Sequence, residues 1–259
     1  MSDSILVERD DTIAIVVLNR PHKLNALTRS MWQRLGETMR ALSDDDSVRC
    51  VVVRGAGEKS FSPGNDIGEF ETMRSNREQA IAYGEVMHAT AQAIAECRHP
   101  TLAQIHGICV GGGLEIAALC DLRICGAASR FGAPIKNLGL VMAYPEIAPL
   151  VALAGRSVAL ELLYEGRILD AREAYEKGLV NRVVADDRVS GECRETARRI
   201  ADGAPLVARW HKKFVRRLAQ GTPLSEAERL EAFDCFDTED FRTGYRAFLA
   251  KTKPVFAGR

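Results

Sequence analysis

Apolar residues follow two different spacings in the first half of the chain. Residues 12–18 (TIAIVVL) and 50–53 (CVVV) are continuous apolar, β-branched runs, which predicts two buried strands. Between them, residues 28–42 have the spacing of an amphipathic helix, with Thr28 as the predicted N-cap. Apolar side chains recur along this helix at Met31, Leu35, Met39 and Leu42. The chain therefore begins as an alternation of strands and helices.

The same alternation continues through Cys125. A long helical stretch, 76–97, precedes a predicted strand at 101–106, a helix at 112–119 and a strand at 122–125. A β-α-β order implies parallel strands that are joined by right-handed crossovers. The first part of the chain is therefore predicted to have an α/β fold.

From about Ser157 onward the pattern becomes mainly helical. One short strand, 180–184, interrupts it, and Ser225 with Glu228 has the spacing of a capping box at a helix start. We predict an α/β core over residues 1–195 and a C-terminal helical region over 196–259 that does not fold independently. The predicted helices of this half are 158–164, 171–177, 192–202, 206–219, 225–234 and 237–250.

Charge and composition narrow the classes of function. The 259 residues carry 35 basic and 35 acidic side chains, so the net charge is zero. A neutral chain argues against a nucleic-acid-binding surface and weakly favours self-association. No run reaches the ~18 consecutive apolar residues of a membrane span, and residues 1–4 (MSDS) do not resemble a signal peptide. We expect a cytoplasmic protein that binds neither nucleic acid nor membrane.

The seven cysteines predict neither a disulfide framework nor a zinc site. Their number is odd and none forms a CxxC pair, while most lie among apolar residues, as is typical of buried free thiols. They are Cys50, Cys97, Cys109, Cys120, Cys125, Cys193 and Cys235.

A glycine cluster, 111–113, lies between a predicted strand and a predicted helix. Such a junction presents bare backbone N–H groups to a ligand, and the helix dipole adds partial positive charge at the same place. Glu115 follows less than one helical turn later. Backbone donors beside one carboxylate suit chemistry at a carbonyl group, because the donors stabilise an oxyanion and the carboxylate moves a proton. Alternatively, Glu115 only stabilises the start of its helix.

A second unusual loop, 61–67 (FSPGNDI), follows the strand predicted at 50–53. Pro63 and Gly64 favour a turn that exposes the N–H groups of Asn65 and Asp66. Two such loops at the carboxyl ends of neighbouring strands would direct two N–H groups into one crevice. Either loop alone is better explained as a simple turn.

Together, residues 61–69 (FSPGNDIGE) and 106–121 (HGICVGGGLEIAALCD) resemble the two signature segments of the enoyl-CoA hydratase/isomerase superfamily, the crotonase family. Residues 18–27 (LNRPHKLNAL) resemble its CoA-binding segment, and 248–253 (FLAKTK) resemble its tail. This resemblance covers almost the whole chain and implies a spiral of ββα units, with a C-terminal helical region that mediates homotrimers, often paired as hexamers. It also implies an acyl-CoA thioester substrate and no metal or redox cofactor, since coenzyme A enters only as part of the substrate.

The resemblance further implies roles for individual residues. The thioester oxygen would lie between the N–H groups of Asn65 and Gly112, and Glu115 would be the general acid/base. Taken alone, Lys23 or Lys251 is better explained as a solvated surface lysine. The implied contacts are Lys23, Leu24 and Ala26 with CoA, Pro63, Asp66 and Ile67 along the adenine and acyl path, and Phe248 and Lys251 with the CoA of a neighbouring subunit.

The chain departs from the family pattern at the second carboxylate. Hydratases of this family use two carboxylates that face one water, and the second position, within 131–139 (FGAPIKNLG), is Ile135 here. An isoleucine cannot move a proton, which weakens both ordinary hydration and simple Δ3–Δ2 isomerisation. Glu146 could take that place or stabilise a helix start after Pro145. Tyr144 could donate a hydrogen bond or have no role.

Asn65 is the second departure, because hydratases usually have a small residue there. Members resembling methylmalonyl-CoA decarboxylase carry a polar residue at this position and lack the second glutamate, although Asn also simply suits a turn. Three hypotheses follow: an acyl-CoA lyase or isomerase that stabilises a thioester enolate with one acid/base Glu, a methylmalonyl-CoA-decarboxylase-like enzyme, and a catalytically silent CoA-thioester-binding protein.

Overall fold

The alternation of strands and helices is present in the computed structural model, which describes residues 4–259. The strands are β1 (Ile5–Asp10), β2 (Ile13–Leu18), β3 (Cys50–Gly55), β4 (Ser60–Ser62), β5 (Thr101–Ile105), β6 (Ile108–Val110), β7 (Leu122–Gly126), β8 (Arg130–Gly132), β9 (Leu169–Asp170) and β10 (Arg182–Val184). The α-helices are α1 (Arg29–Asp44), α2 (Phe70–Met73), α3 (Arg77–Glu96), α4 (Gly112–Leu119), α5 (Tyr144–Glu165), α6 (Ala171–Glu176), α7 (Val189–Ala201), α8 (Pro205–Leu218), α9 (Glu226–Leu230) and α10 (Glu239–Ala250).

The strands form two sheets, and consecutive strand pairs divide between them. The larger sheet has the order β1-β2-β3-β5-β7-β10, and the smaller has the order β4-β6-β8-β9. Each of the pairs β3/β4, β5/β6 and β7/β8 gives its first strand to the larger sheet and its second to the smaller, and a helix follows each pair. This repeated arrangement confirms the predicted α/β fold with a spiral of ββα units.

The central strands carry continuous apolar stretches because both faces of the larger sheet are covered. On β3, Val51 and Val53 face the main core, whereas Cys50 and Val52 face a second cluster. The main core contains apolar residues of α1 and α3, and the second contains apolar residues of α7. Strands that are buried on both faces lack polar alternation, which is why the sequence shows continuous apolar runs.

The predicted set of strands was incomplete. The edge strand β1 pairs antiparallel with β2 through a turn at Asp11, whose φ is +54°. Five of the six residues of β1 are at least partly exposed and its last three are polar, so its apolar run is only three residues long. The strands of the smaller sheet contain only two or three residues, which is too short for a periodic pattern.

Helix α5 is much longer than the predicted helix 158–164. Gly155 within it has non-helical angles (φ 78°, ψ 167°), so two helical segments meet there at a kink. Among the described residues, α5 is the one helix that is long and apolar enough to cross a membrane, judged by length and composition alone. Such a helix is weak evidence of a span, and the kink divides it into two shorter segments.

The C-terminal region follows α7, a helix that packs against the larger sheet. The predicted division at residue 195 falls within α7. Beyond it, the capping box of Ser225 and Glu228 is present at the start of α9. The helix predicted over 225–234 continues after Leu230 as a 3₁₀ helix, Glu231–Asp237.

An ion pair between a buried lysine side chain and an exposed aspartate attaches α8 to the spiral core. Lys212 is only 8% exposed, and its Nζ lies 2.7 Å from Oδ2 of Asp121 and 3.0 Å from the carbonyl oxygen of His99. The same Oδ2 accepts hydrogen bonds from the backbone N–H and the hydroxyl of Thr101. The C-terminal region is thus tied to the residues that begin β5.

Candidate active site

The two glycine-containing loops leave neighbouring strands of the smaller sheet. Strands β4 and β6 are parallel, so the loops that follow them emerge at the same edge. A Cβ atom built on Gly64 would lie 2.7 Å from the backbone nitrogen of Gly112 and 3.2 Å from the carbonyl oxygen of Val110. This distance confirms that the loops meet, and glycine at position 64, with φ +96°, is what lets them approach so closely.

Helix α4 begins directly at this contact. A Cβ on Gly113 would lie 2.1 Å from the carbonyl oxygen of Ser62, so only glycine allows the first turn of α4 to lie against β4. All six residues from Gly112 to Ala117 are buried. The positive end of a buried helix is therefore fixed beside the second loop.

Two backbone N–H groups at this contact are free of protein acceptors. Leu27 donates its N–H to Gly64 O, and Asp66 donates its N–H to Leu27 O, each at 2.8 Å. These bonds orient the intervening peptide, and the N–H of Asn65 makes no hydrogen bond within residues 4–259. The N–H of Gly112, in the first turn of α4, likewise has no partner in that part of the chain.

Both residues line a cavity of about 120 Å³, and Glu115 lines it with them. Glu115 is only 8% exposed. The pKa of its carboxyl group is raised to about 8, mainly by burial and then by the negative charge of Glu146, while the positive charge of Arg74 acts in the opposite direction. A carboxyl group with such a pKa is largely protonated at neutral pH, so it can act as a proton donor.

Glu146 both stabilises a helix start and faces the cavity, the two roles that the sequence left open for it. Its Oε2 accepts a hydrogen bond of 2.8 Å from the N–H of Ala143, which caps the start of α5. Its Oε1 lies 3.4 Å from Nε2 of His88, and the residue also lines the cavity with Glu115. Two carboxyl groups therefore face the same cavity, although the second comes from α5.

Ile135 lies in the 3₁₀ helix Pro134–Leu138 and lines the cavity. Most of the residues that line the cavity with it are apolar, and Ile135 itself offers no proton-transfer group. The apolar lining residues are Ile67, Phe70, Met87, Val110, Leu138, Leu140, Val141 and Met142.

The side chain of Asn65 is held in place by α1. The indole N–H of Trp32 donates to its Oδ1 at 2.6 Å, and its Nδ2 lies 3.7 Å from Sδ of Met87. Trp32 is fully buried, so this hydrogen bond attaches the loop to the protein core. Nothing in the sequence singled out Trp32, which occupies one of many apolar positions along α1.

An ion pair joins the segment after β2 to the second loop. Nη1 of Arg20 lies 2.6 Å from Oδ2 of Asp66 and also donates to the carbonyl oxygen of Ala26. The guanidinium of Arg20 is the main reason that the pKa of Asp66 is lowered, and the positive charge of Lys23 adds to this effect. Lys23 and Leu24 are exposed beside this pair, whereas Ala26 is buried.

The structure does not bring every candidate to the cavity. Pro63 and Ile67 line it. Phe248 is 82% exposed near the end of α10, and Lys251 is exposed at its C-cap. Tyr144 is 91% exposed at the start of α5 and does not line the cavity. Within one chain, these three positions are therefore apart from Glu115.

No group of three or more His, Cys, Asp or Glu side chains among residues 4–259 has an arrangement that could hold a metal ion. The cysteines are all free thiols. Six of them are buried, and Cys235 is partly exposed.

Replacing Glu115 by Gln should increase the free energy of unfolding above pH 4.5. The folded state holds the Glu115 proton up to a pKa of about 8 instead of its ordinary 4.5, so wild-type stability falls as the pH rises between these values. The advantage of the variant should grow to about 4 kcal/mol near pH 8, measured by denaturant unfolding at several pH values. The exposed Glu78→Gln serves as a control, and a pH-independent advantage would contradict the raised pKa.

Comparison with known proteins agrees with this geometry. The family model described as enoyl-CoA hydratase/isomerase matches residues 8–259. The crotonyl-CoA hydratase of Syntrophomonas wolfei is 31% identical over 260 residues, covering 99% of both chains, and the short-chain-enoyl-CoA hydratase of Clostridium acetobutylicum is 32% identical, covering 97% of this chain and 96% of the relative.

Solved structures give the same result. An enoyl-CoA hydratase/carnithine racemase from Magnetospirillum magneticum matches with a TM-score of 0.98 and 50% identity, covering 100% of this chain and 97% of that one. An enoyl-CoA hydratase from Bacillus anthracis has a TM-score of 0.92 and 29% identity, covering 99% and 100%. The chain belongs to the enoyl-CoA hydratase/isomerase family.

Proposed function

We propose that the protein is an acyl-CoA lyase or isomerase that stabilises a thioester enolate. The observation that carries this proposal is the convergence of two free backbone N–H groups, those of Asn65 and Gly112, on a cavity that also contains Glu115. A thioester oxygen would accept hydrogen bonds from both groups. In a site sheltered from water, loss of one such donor typically costs about 3–4 kcal/mol of barrier.

Glu115 transfers the proton in this proposal. Protonated at neutral pH, it donates to the α-carbon of the enolate, and it takes the proton back in the reverse direction. Glu146 is the second carboxylate of the cavity, and its negative charge suits the orientation of a water molecule for addition to an enoyl ester. The different surroundings of the two carboxyl groups, one buried on α4 and one hydrogen-bonded at the start of α5, support such a division of roles.

Binding of CoA at a distance from the reacting carbon would position the thioester. The segment containing Lys23, Leu24 and Ala26 is joined to the second loop by the Arg20–Asp66 ion pair. It therefore lies where a nucleotide could be held while the acyl group enters the cavity. The chemistry needs only backbone donors and carboxyl groups, so we propose that coenzyme A enters as part of the substrate and that no further cofactor takes part.

Decarboxylation of a malonyl-type CoA ester is the second candidate. The observation that favours it is the apolar wall formed by Ile135, because an apolar environment disfavours a carboxylate and accepts neutral carbon dioxide. The oxyanion hole would stabilise the resulting enolate, and Glu115 would then protonate it. This reaction needs only one acid.

Replacing Glu115 by Gln should lower kcat with a 2-enoyl-CoA by about 10²–10⁴-fold, because the amide cannot donate the proton. The wild-type enzyme should lose activity as the pH rises above about 8, where Glu115 loses its proton. Mass spectrometry of turnover in D₂O, with Glu78→Gln as control, measures both turnover and deuterium at the α-carbon.

The same assay separates the candidates when crotonyl-CoA, a 3-enoyl-CoA and methylmalonyl-CoA are each supplied. Gain of water, or a change in ultraviolet absorbance at constant mass, supports a lyase or isomerase. Loss of carbon dioxide supports the second candidate. Binding without turnover of any ester would leave a catalytically silent binder and would contradict both.

Replacing Gly64 by Ala tests the oxyanion hole without touching a carboxyl group. The added methyl group would lie 2.7 Å from the nitrogen of Gly112, so we expect a loss of at least about 100-fold in kcat. Gly57 is a matched control, since its φ is also positive (+73°) but a Cβ there meets nothing within 4 Å. Equal activity losses in both variants would argue against the hole.

We also infer that the protein assembles as a homotrimer or hexamer. Large apolar side chains of the C-terminal region are exposed in the single chain, among them Phe233, Phe236, Phe248 and Leu249, and such surfaces mark interfaces. An assembly would allow Phe248 and Lys251 to reach a neighbouring CoA. Light scattering should give three or six times the 28.4 kDa chain mass, and a monomer would contradict this inference.

A further inference from the structure

Arg74 is a lining residue of the cavity that the proposed chemistry does not use. It follows α2, and its guanidinium lies over two aromatic rings, 4.8 Å from the ring centroids of both Phe70 and Tyr83. Contacts of this kind stabilise a cation and restrict its position. Tyr83 is itself fixed, because it is fully buried and its hydroxyl donates to Oε2 of Glu69 at 2.9 Å.

The guanidinium has no anionic partner in the described part of the chain. Nη1 is buried and makes no hydrogen bond within residues 4–259, and Arg74 forms no ion pair there. A guanidinium carries five N–H donors, and leaving a buried, charged donor unpaired costs free energy. A rigid cation with unused donors at the wall of a cavity is arranged for an anion that enters from outside.

The surroundings of Arg74 define where that anion would lie. Arg74 is the single positively charged side chain among the described residues that line the cavity. Its charge acts on Glu115, whereas Asp66, beside the predicted CoA segment, responds to Arg20 and Lys23. Arg74 is therefore electrostatically coupled to the reacting end of the site, where the acyl group rather than the nucleotide would lie.

The two acidic residues of the cavity do not prevent an anion from binding. The pKa of about 8 leaves Glu115 largely neutral at pH 7. Glu146 is already engaged, because it accepts the N–H of Ala143 and lies 3.4 Å from His88. The positive charge of Arg74 remains available to a ligand.

We propose that Arg74 binds a carboxylate at the far end of the acyl group, so that the substrates are CoA monothioesters of dicarboxylic acids. A planar guanidinium fits a carboxylate through two parallel hydrogen bonds. This inference rests on the proposed CoA-thioester site and adds the class of acyl group. Pairing stabilises the charged carboxylate, which opposes its loss as carbon dioxide, so the carboxylate at Arg74 is a recognition group and does not react.

Binding of two saturated esters of equal chain length tests this proposal independently of turnover. Glutaryl-CoA ends in a carboxylate and pentanoyl-CoA ends in a methyl group, and isothermal titration calorimetry gives both dissociation constants. The wild-type protein should bind glutaryl-CoA at least about tenfold more tightly, since a charge-assisted bidentate pair in a sheltered site contributes more than 1.4 kcal/mol.

Substitution of Arg74 should remove this preference selectively. Arg74→Met keeps approximately the length and the apolar contacts of the side chain. We expect it to weaken the binding of glutaryl-CoA by about tenfold or more, while the affinity for pentanoyl-CoA changes little. Arg74→Lys should retain part of the preference. Arg77→Met removes an exposed arginine three residues away, which does not line the cavity, and should leave both constants unchanged.

Three outcomes would overturn the proposal. Equal affinity of the wild-type protein for both esters shows that the carboxylate is not recognised, while the CoA-thioester site stands. Equal weakening of both esters by Arg74→Met shows that Arg74 binds the CoA portion or supports the fold. Failure of both esters to bind the wild-type protein removes the proposed CoA-thioester site and this inference together.

Discussion

The close contact between helix α4 and strand β4 is the constraint on which the rest of the site depends. Glycine at position 113 allows the first turn of α4 to approach the carbonyl oxygen of Ser62, and Gly64 allows the second loop to approach Gly112. A side chain at either position would separate the two loops. Because the loops meet, the amides of Asn65 and Gly112 reach one cavity, and Glu115 is carried into the protein interior by the same helix.

Burial gives this site its electrostatic character. The raised pKa of Glu115 arises first from loss of water, and the charges of Glu146 and Arg74 act on it in opposite directions. The three charged groups come from α4, α5 and the segment after α2, so packing of separate elements determines the protonation state of one carboxyl group. Arg74 and Glu146 both act on the pKa of Glu115. An acyl group that binds to Arg74 would therefore also affect proton transfer by Glu115.

The C-terminal region depends on the spiral core while it remains incompletely covered. Lys212 ties α8 to Asp121, which follows α4 and in turn binds the first residue of β5, so the helical region is attached to the core next to the helix that carries Glu115. Large apolar side chains beyond α8 remain exposed. A region that is anchored on one side and apolar on the other is suited to contact between subunits. In such an assembly Phe248 and Lys251 would contact the CoA of a neighbouring subunit, which they do not reach within a single chain.

The sequence alone determined the parts of this protein that local spacing controls. Buried strands and amphipathic helices follow from apolar periodicity, and Asn65, Gly112 and Glu115 stand out because glycine-rich turns precede or surround them. Tertiary structure decided which other side chains share the cavity. Arg74 lines the cavity and Trp32 holds Asn65 beside it, yet the local sequences of both are those of an ordinary turn and an ordinary helix; for Glu146 the sequence left two roles open. Spacing along one helix determines which residues share a face. Only tertiary packing determines which other elements that face contacts. The hydrogen-bond partners and the pKa of a buried group depend on this packing.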